Sequence, residues 1–226
     1  MIRIEGISAV VTDIEGTTGS IAFVHEVLFP YARARLPAFI ARHGEEVRAP
    51  LDEVRAAEGD LDDDALVALL RRWIDEDRKA PPLKTLQGLI WREGYESGDL
   101  VGHVYDDAVR MLRRWREKGL ALYVYSSGSA PAQKLLFGHS AAGDLTPLFE
   151  GNFDLGVGPK TSADSYRRIA EALAAEAGTI LFLSDSAAEI SAARSAGLQA
   201  IRVVRDSTPE PGEVGGFDEI EIIPPG

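Results

Sequence analysis

Short apolar runs ended by polar or turn-forming residues recur along this chain. Ile7–Asp13 (ISAVVTD) is one, closed by an acid, and it reads as a buried strand. Leu120–Tyr125 (LALYVY), Thr179–Ser184 (TILFLS) and Gln199–Val204 read the same way, and Phe153–Val157 is expected to add another. Between them the period changes to that of a helix. Asp106–Lys118 carries Val109, Met111, Leu112 and Trp115 and stops at Gly119. Helices are also expected over Ala130–Phe137, over Ser162–Ala177 before Gly178, and over Ala187–Ala196 before Gly197. Strands alternating with helices predict a parallel α/β sheet.

The first strand is separated from the rest by a block with few strand signals. After the loop Gly16–Ser20, residues 21–98 read as helical. Asp62-Asp63-Asp64 caps a helix whose Leu66, Leu69, Leu70 and Trp73 share a face. Pro81-Pro82 opens another, with Leu83, Leu86, Ile90 and Trp91, while Pro30, Pro37 and Pro50 are expected to divide the earlier part. The expected organisation is an α/β core domain, residues 1–19 and 100–226, with an all-helical domain, 20–99, inserted into it. The segment after Asp206, with its prolines and glycines, is expected to wrap the surface.

Composition narrows the function class. The 226 residues are 45% apolar and 27% charged, the mix of an ordinary globular protein. The longest stretch free of Asp, Glu, Lys and Arg is Gly119–Gln133, too short and broken to span a bilayer, so no membrane association is expected. The early acids Glu5 and Asp13 argue against a signal peptide. There is no cysteine, which removes disulfides, thiolate metal sites and a Cys nucleophile. A cytoplasmic enzyme or binding protein is expected. The net charge of −12 argues against nucleic-acid binding. Residues 45–79 and 206–226 carry all of that excess, and the rest of the chain is neutral. The acidity need not repel an anionic substrate elsewhere.

Parallel strands deliver their C-terminal ends to one edge, where ligands bind. The residues expected there are Asp13, Ser126 and Asp185, with Glu15, Ser127 and Glu189 following and Lys160 in a loop after Gly158-Pro159. Taken singly, each has a bland reading: a strand-end Asp is commonly a turn former, a serine a helix cap, a lysine a surface residue. Together, two carboxylates, a hydroxyl and a lysine suit phosphoryl transfer with a hard cation such as Mg²⁺. A strand-end carboxylate can attack phosphorus directly. No GxxxxGK[ST] or GxGxxG loop follows a strand, so no nucleotide cofactor is indicated.

The order Asp13-x-Glu15-Gly16-Thr17-Thr18, Ser126, Lys160, Asp185-x-x-x-Glu189 resembles the haloacid dehalogenase superfamily of aspartate-nucleophile phosphatases. Most members have Asp-x-Asp where this chain has Asp-x-Glu. Residues 12–32 (TDIEGTTGSIAFVHEVLFPYA), 84–92 (KTLQGLIWR), 123–140 (YVYSSGSAPAQKLLFGHS) and 180–189 (ILFLSDSAAE) are similar to the narrower acireductone synthase family, the enolase-phosphatases of methionine salvage.

The resemblance implies a Rossmann-like core with a helical cap over its site, one Mg²⁺, and a phosphorylated diketone as the small-molecule substrate. Asp13 is then nucleophile and metal ligand, and Asp185 the second metal carboxylate. Glu15 is a metal ligand through its backbone carbonyl or its side chain, and a proton shuttle. Ser126, Ser127 and Lys160 bind the phosphoryl group, Lys160 also neutralising Asp13, and Glu189 orients Lys160 or a metal-bound water. A monomer is expected. The alternatives are a Mg-dependent phosphatase of the same superfamily acting on another small phosphorylated metabolite, a metal-free dehalogenase, and a phospho-acceptor signalling domain. That last module is usually half this length and has no cap.

Overall fold

The computed structural model describes residues 1–225. The chain divides into two compact units, residues 1–21 with 102–226, and residues 22–101.

The first unit is built on a parallel sheet. Its strands are β2 (Ala9–Thr12), β3 (Ala121–Tyr125), β4 (Gly151–Phe153), β5 (Ile180–Ser184), β6 (Gln199–Val203) and β7 (Glu213–Val214), ordered β4-β3-β2-β5-β6-β7. β2 sits centrally because every residue of it is buried, as a strand covered on both faces requires. Its Thr12 is level with Val124 of β3 and Leu183 of β5. The residues just past the three strand ends, Asp13, Ser126 and Asp185, therefore leave the sheet at one edge. Helices α8 (Ala163–Ala172) and α9 (Ala187–Ser195) share a core with the strands through Tyr166, Ile169, Ile190, Phe182 and Tyr125. α6 (Asp106–Glu117) and α7 (Ala130–Gly138) complete the unit.

The second unit begins within α1 (Ile21–Phe23) and a π-helical turn, Val24–Leu28. It continues through α2 (Phe29–Arg42), α3 (Gly44–Glu58), α4 (Asp63–Asp75) and α5 (Pro81–Ser97). Its core joins Leu36 and Phe39 of α2, Val47 and Val54 of α3, Leu70 and Trp73 of α4, and Leu86 and Ile90 of α5. Asp62 caps α4, accepting from the Ala65 N–H at 2.8 Å, and Leu66, Leu69, Leu70 and Trp73 form its buried face as expected.

Four sequence expectations are corrected. Pro37 and Pro50 divide nothing; they lie inside α2 and α3. A proline deprives the carbonyl four residues earlier of its partner, and Arg71 Nε supplies one to the Arg33 carbonyl at 3.3 Å. The strand expected at Phe153–Val157 is displaced to Gly151–Phe153, where it pairs with Tyr123–Tyr125. α8 ends at Ala172 rather than Ala177: Ala174 turns left-handed at φ 50°, and the Ala175 N–H closes onto the Ala170 carbonyl.

Finally, the tail is no mere wrap. It supplies β7 to the sheet, and β8 (Ile220–Ile223) pairs in parallel with β1 (Ile2–Glu5), a strand the sequence reading omits. Between them Phe217 is fully buried and stacks on Trp115 of α6, centroids 5.4 Å apart.

Candidate active site

Asp13 continues the ladder one step past β2, its N–H donating to the Leu183 carbonyl at 2.8 Å. The hydroxyls of Thr12 and Thr18 both donate to the Asp13 carbonyl, each at 3.0 Å. The following loop closes on itself. Thr17 and Gly19 N–H groups donate to the Ile14 carbonyl, and Gly16 N–H to the Gly19 carbonyl. Gly16 has φ +70°, and a Cβ there would stand 2.5 Å from Asp185 Oδ2. Only glycine lets the turn take this conformation with the Asp185 carboxylate against it. The Thr17 hydroxyl accepts from the Asp185 N–H at 2.9 Å. Glu15 lies in this turn, half-buried.

Lys160 meets Asp13 side chain to side chain. Its Nζ is 2.6 Å from Asp13 Oδ1 and 2.8 Å from Glu189 Oε2. Ser184 Oγ donates to the same Glu189 oxygen at 2.8 Å. The lysine's loop is held by three hydroxyls on three successive carbonyls: Tyr125 on Gly158 at 2.9 Å, Ser165 on Pro159 at 2.8 Å, and Tyr166 on Lys160 at 2.6 Å. Ser126 is buried past the end of β3, its Oγ accepting from the Gly128 N–H at 3.3 Å. Gln133 pins this turn, its Nε2 donating at 2.8 Å to the carbonyls of both Gly128 and Phe153. Ser127 is half-buried within it.

Thus the structure brings Asp13, Lys160, Asp185 and Glu189 together, with Glu15 in the adjoining turn and Ser126-Ser127 at the same sheet edge. The threonine, tyrosine and Gln133 hydrogen bonds were not anticipated. Thr17 and Tyr125 lie within the motif segments themselves, but nothing in one sequence says which backbone group a hydroxyl will find.

Electrostatics follow from burial. The Asp13 carboxyl is pushed up to about 7 by burial, Lys160 opposing this and the Glu189 charge adding to it. Burial, then Glu189, also raises Asp185. Burial disfavours the Lys160 ammonium, yet Asp13 and Glu189 together raise it above its ordinary value. Lys160 contacts two carboxylates and offsets the Asp185 charge from farther away, leaving a surplus of carboxylates over cations that suits a hard divalent cation with oxygen ligands. Among the described residues no three His, Cys, Asp or Glu side chains gather as a metal-binding group. Asp13, Glu15 and Asp185 accordingly do not form a three-side-chain cage. A site with two carboxylates and several waters is the type Mg²⁺ prefers.

A buried strand-end carboxylate, clasped by a lysine, thus stands at the C-terminal edge of a parallel sheet. The model of the haloacid dehalogenase-like hydrolases matches residues 7–197, and the chain belongs to that family. It is 56% identical over 204 residues to the enolase-phosphatase E1 of Methylococcus capsulatus, covering 88% of this chain and 90% of the relative. With that of Pseudomonas aeruginosa strain UCBPP-PA14 it shares 53% over 222 residues, covering 96% and 99%. Among solved structures, the UTR4 protein of Saccharomyces cerevisiae superposes with a TM-score of 0.81 at 33% identity, covering 94% of this chain and 99% of that one. CbbY of Rhodobacter sphaeroides, solved with phosphate, has a TM-score of 0.58 at 18% identity over 92% of each chain, a likeness of fold alone. No described helix is long and apolar enough to cross a membrane.

Proposed function

We propose that this protein is an acireductone synthase, a bifunctional enolase-phosphatase of L-methionine salvage. It enolises 2,3-diketo-5-methylthiopentyl-1-phosphate and hydrolyses the phosphate ester, giving 1,2-dihydroxy-3-keto-5-methylthiopentene. The observation that carries the mechanism is the buried Asp13 carboxylate 2.6 Å from Lys160 Nζ, in a chain 53–57% identical to enolase-phosphatases over most of its length.

Asp13 attacks phosphorus through a carboxylate oxygen while the bond from phosphorus to the sugar-like C1 oxygen breaks. The leaving oxygen takes a proton. Water then attacks the aspartyl phosphate, releasing inorganic phosphate and restoring Asp13. Lys160 neutralises both the nucleophile and the phosphoryl oxygens, which Ser126 and Ser127 also bind. Glu189 keeps the ammonium charged and aimed. The Asp13 and Asp185 side chains and the Glu15 backbone carbonyl would hold one Mg²⁺, which would supply Lewis-acid polarisation. The Glu15 side chain moves protons: it takes one from the carbon beside a carbonyl during enolisation and serves the ester oxygen and water afterwards. Its extra methylene, against the aspartate of most members of the superfamily, extends its reach by about 1.3–1.5 Å. The helical unit, residues 22–101, corresponds to the cap domain that the family resemblance implies. The proposal includes action as a monomer in the cytoplasm.

Product analysis with the diketone phosphate, with and without Mg²⁺, tests the reading. Both acireductone and phosphate are expected with Mg²⁺, neither after EDTA, and Ca²⁺ is expected to substitute poorly. Failure to turn over the diketone while other phosphate esters are hydrolysed would assign a different substrate. In Glu15→Gln both steps should fail; wild-type enolisation with lost phosphate release would demand a second base.

A further inference from the structure

Among the described residues, one largely buried guanidinium has no part in the proposed reaction. Arg205 follows β6 and its side chain is 8% exposed, opposite an Asp107 that is 16% exposed. Its Nη1 contacts both Asp107 oxygens, at 2.9 and 2.8 Å. Its Nε and Nη2 both donate to the Thr17 carbonyl, at 3.0 and 2.6 Å. The guanidinium also lies over the Tyr105 ring, 4.2 Å from its centroid. Asp107 is fixed in turn by the Phe217 N–H at 2.7 Å. Burying such a pair brings a desolvation penalty that an apolar pair would avoid, so its placement calls for a reason.

Thr17 supplies that reason. Its carbonyl is held by Arg205, while its hydroxyl receives the Asp185 N–H. Thr17 is fully buried and follows Gly16, whose backbone lies against the Asp185 carboxylate. On the other side Arg202, three residues before Arg205, donates from Nε to the Asp185 carbonyl at 2.8 Å and pairs with Glu213 at 3.0 Å. The exit of β6 thus grips both backbone segments that carry the two proposed metal carboxylates.

We propose that Arg205, backed by Asp107, is a positioning residue that sets the spacing between the Asp13 loop and Asp185, and so the metal affinity of the site. The inference rests on Asp13 and Asp185 being the metal pair. A planar fork spans Thr17 and Asp107 at once; a lysine ammonium is a single point and cannot reproduce both contacts. Outer-shell partners of this kind commonly carry about 10–100-fold in metal affinity.

The test is Mn²⁺ and Mg²⁺ binding by calorimetry on wild type, Arg205→Lys and Arg205→Ala, each below its melting temperature. Leu70→Ala in the helical unit serves as a control for destabilisation alone. Arg205→Lys should bind about 10-fold more weakly, and Leu70→Ala as wild type. Millimolar guanidinium should restore binding to folded Arg205→Ala, and ethylammonium should not. If Arg205→Ala does not fold, Arg205→Lys decides. Wild-type affinity in Arg205→Lys would overturn the inference. A wild type that binds neither ion would instead overturn the metal pair itself, and the inference with it.

Discussion

Both units carry exposed ion pairs, and they differ in whether they also bury charge. In the helical unit the ion pairs Arg33–Asp75, Arg42–Glu93, Arg92–Glu46 and Arg78–Glu58 stand at the surface, every partner at least 31% exposed, around a core that is almost wholly apolar. In the α/β unit Lys160 sits with Asp13 and Glu189, and Arg205 with Asp107, all at 16% exposure or less. Exposed pairs contribute little because water solvates both partners and salt screens them. Buried pairs are expensive to assemble and damaging to break. Buried charge in this molecule therefore calls for a reason beyond stability, which the proposed site would supply, and surface charge calls for none.

The comparison can be broken in several places. The largest effect is expected from Asp13→Asn: a folded protein with phosphate release lost almost completely, since an amide neither attacks phosphorus nor ligates a cation well. Substantial turnover in a clean preparation would remove Asp13 as nucleophile. Lys160→Met should follow, leaving Asp13 and Glu189 buried without their cation; a destabilisation of about 3–5 kcal/mol, read by urea unfolding above neutral pH, should accompany the loss of activity. An undiminished stability would mean that the carboxylates are not charged in the folded protein.

A third expectation concerns pH. Burial lets the folded metal-free protein hold the Asp13 proton up to about 7, against 3.8 for an ordinary aspartate. Protonated Asp13 favours the folded state, so its contribution is full below pH 3.8 and is lost as pH rises toward 7. The slope is on the order of 1 kcal/mol per pH unit at most. Asp13→Asn should flatten that slope, and saturating Mg²⁺ should too; melting curves across the window measure both. The smallest effect belongs to the surface. Arg42→Gln should shift stability by about 0–1 kcal/mol and leave turnover unchanged; a larger change would blur the distinction between the units.

Much of the site was legible because buried parallel strands write themselves plainly. ISAVVTD and TILFLSD are apolar runs that each end in an acid, and such ends must meet at one edge. The helix at Asp63–Asp75 was legible for a similar reason: its cap and its apolar stripe agree. What escaped depends on partners distant in sequence. Pro37 is tolerated only because Arg71 reaches the Arg33 carbonyl. The end of α8 was hidden because an alanine, not a glycine, takes the left-handed turn. β1 and β8 are short and stabilised by each other across the length of the chain. Arg205 gave one faint signal, two arginines three residues apart at the end of an apolar strand. Its meaning lies in Thr17 and Asp107, which no local pattern connects to it.

The central position of β2 also bears on how the molecule is made. Its two neighbours, β3 and β5, come long after it, the second roughly 170 residues later; at ribosomal rates of about 5–20 residues per second this is a delay of about 10–30 s. The intervening helices meanwhile complete a core drawn entirely from their own stretch of chain. Until β3 follows, roughly 110 residues after it, the nascent protein carries an apolar strand ending in Asp13 with nothing to pair against. Slow synthesis or a shortage of chaperones should trap this species, an aggregation hazard created by placing the central strand first.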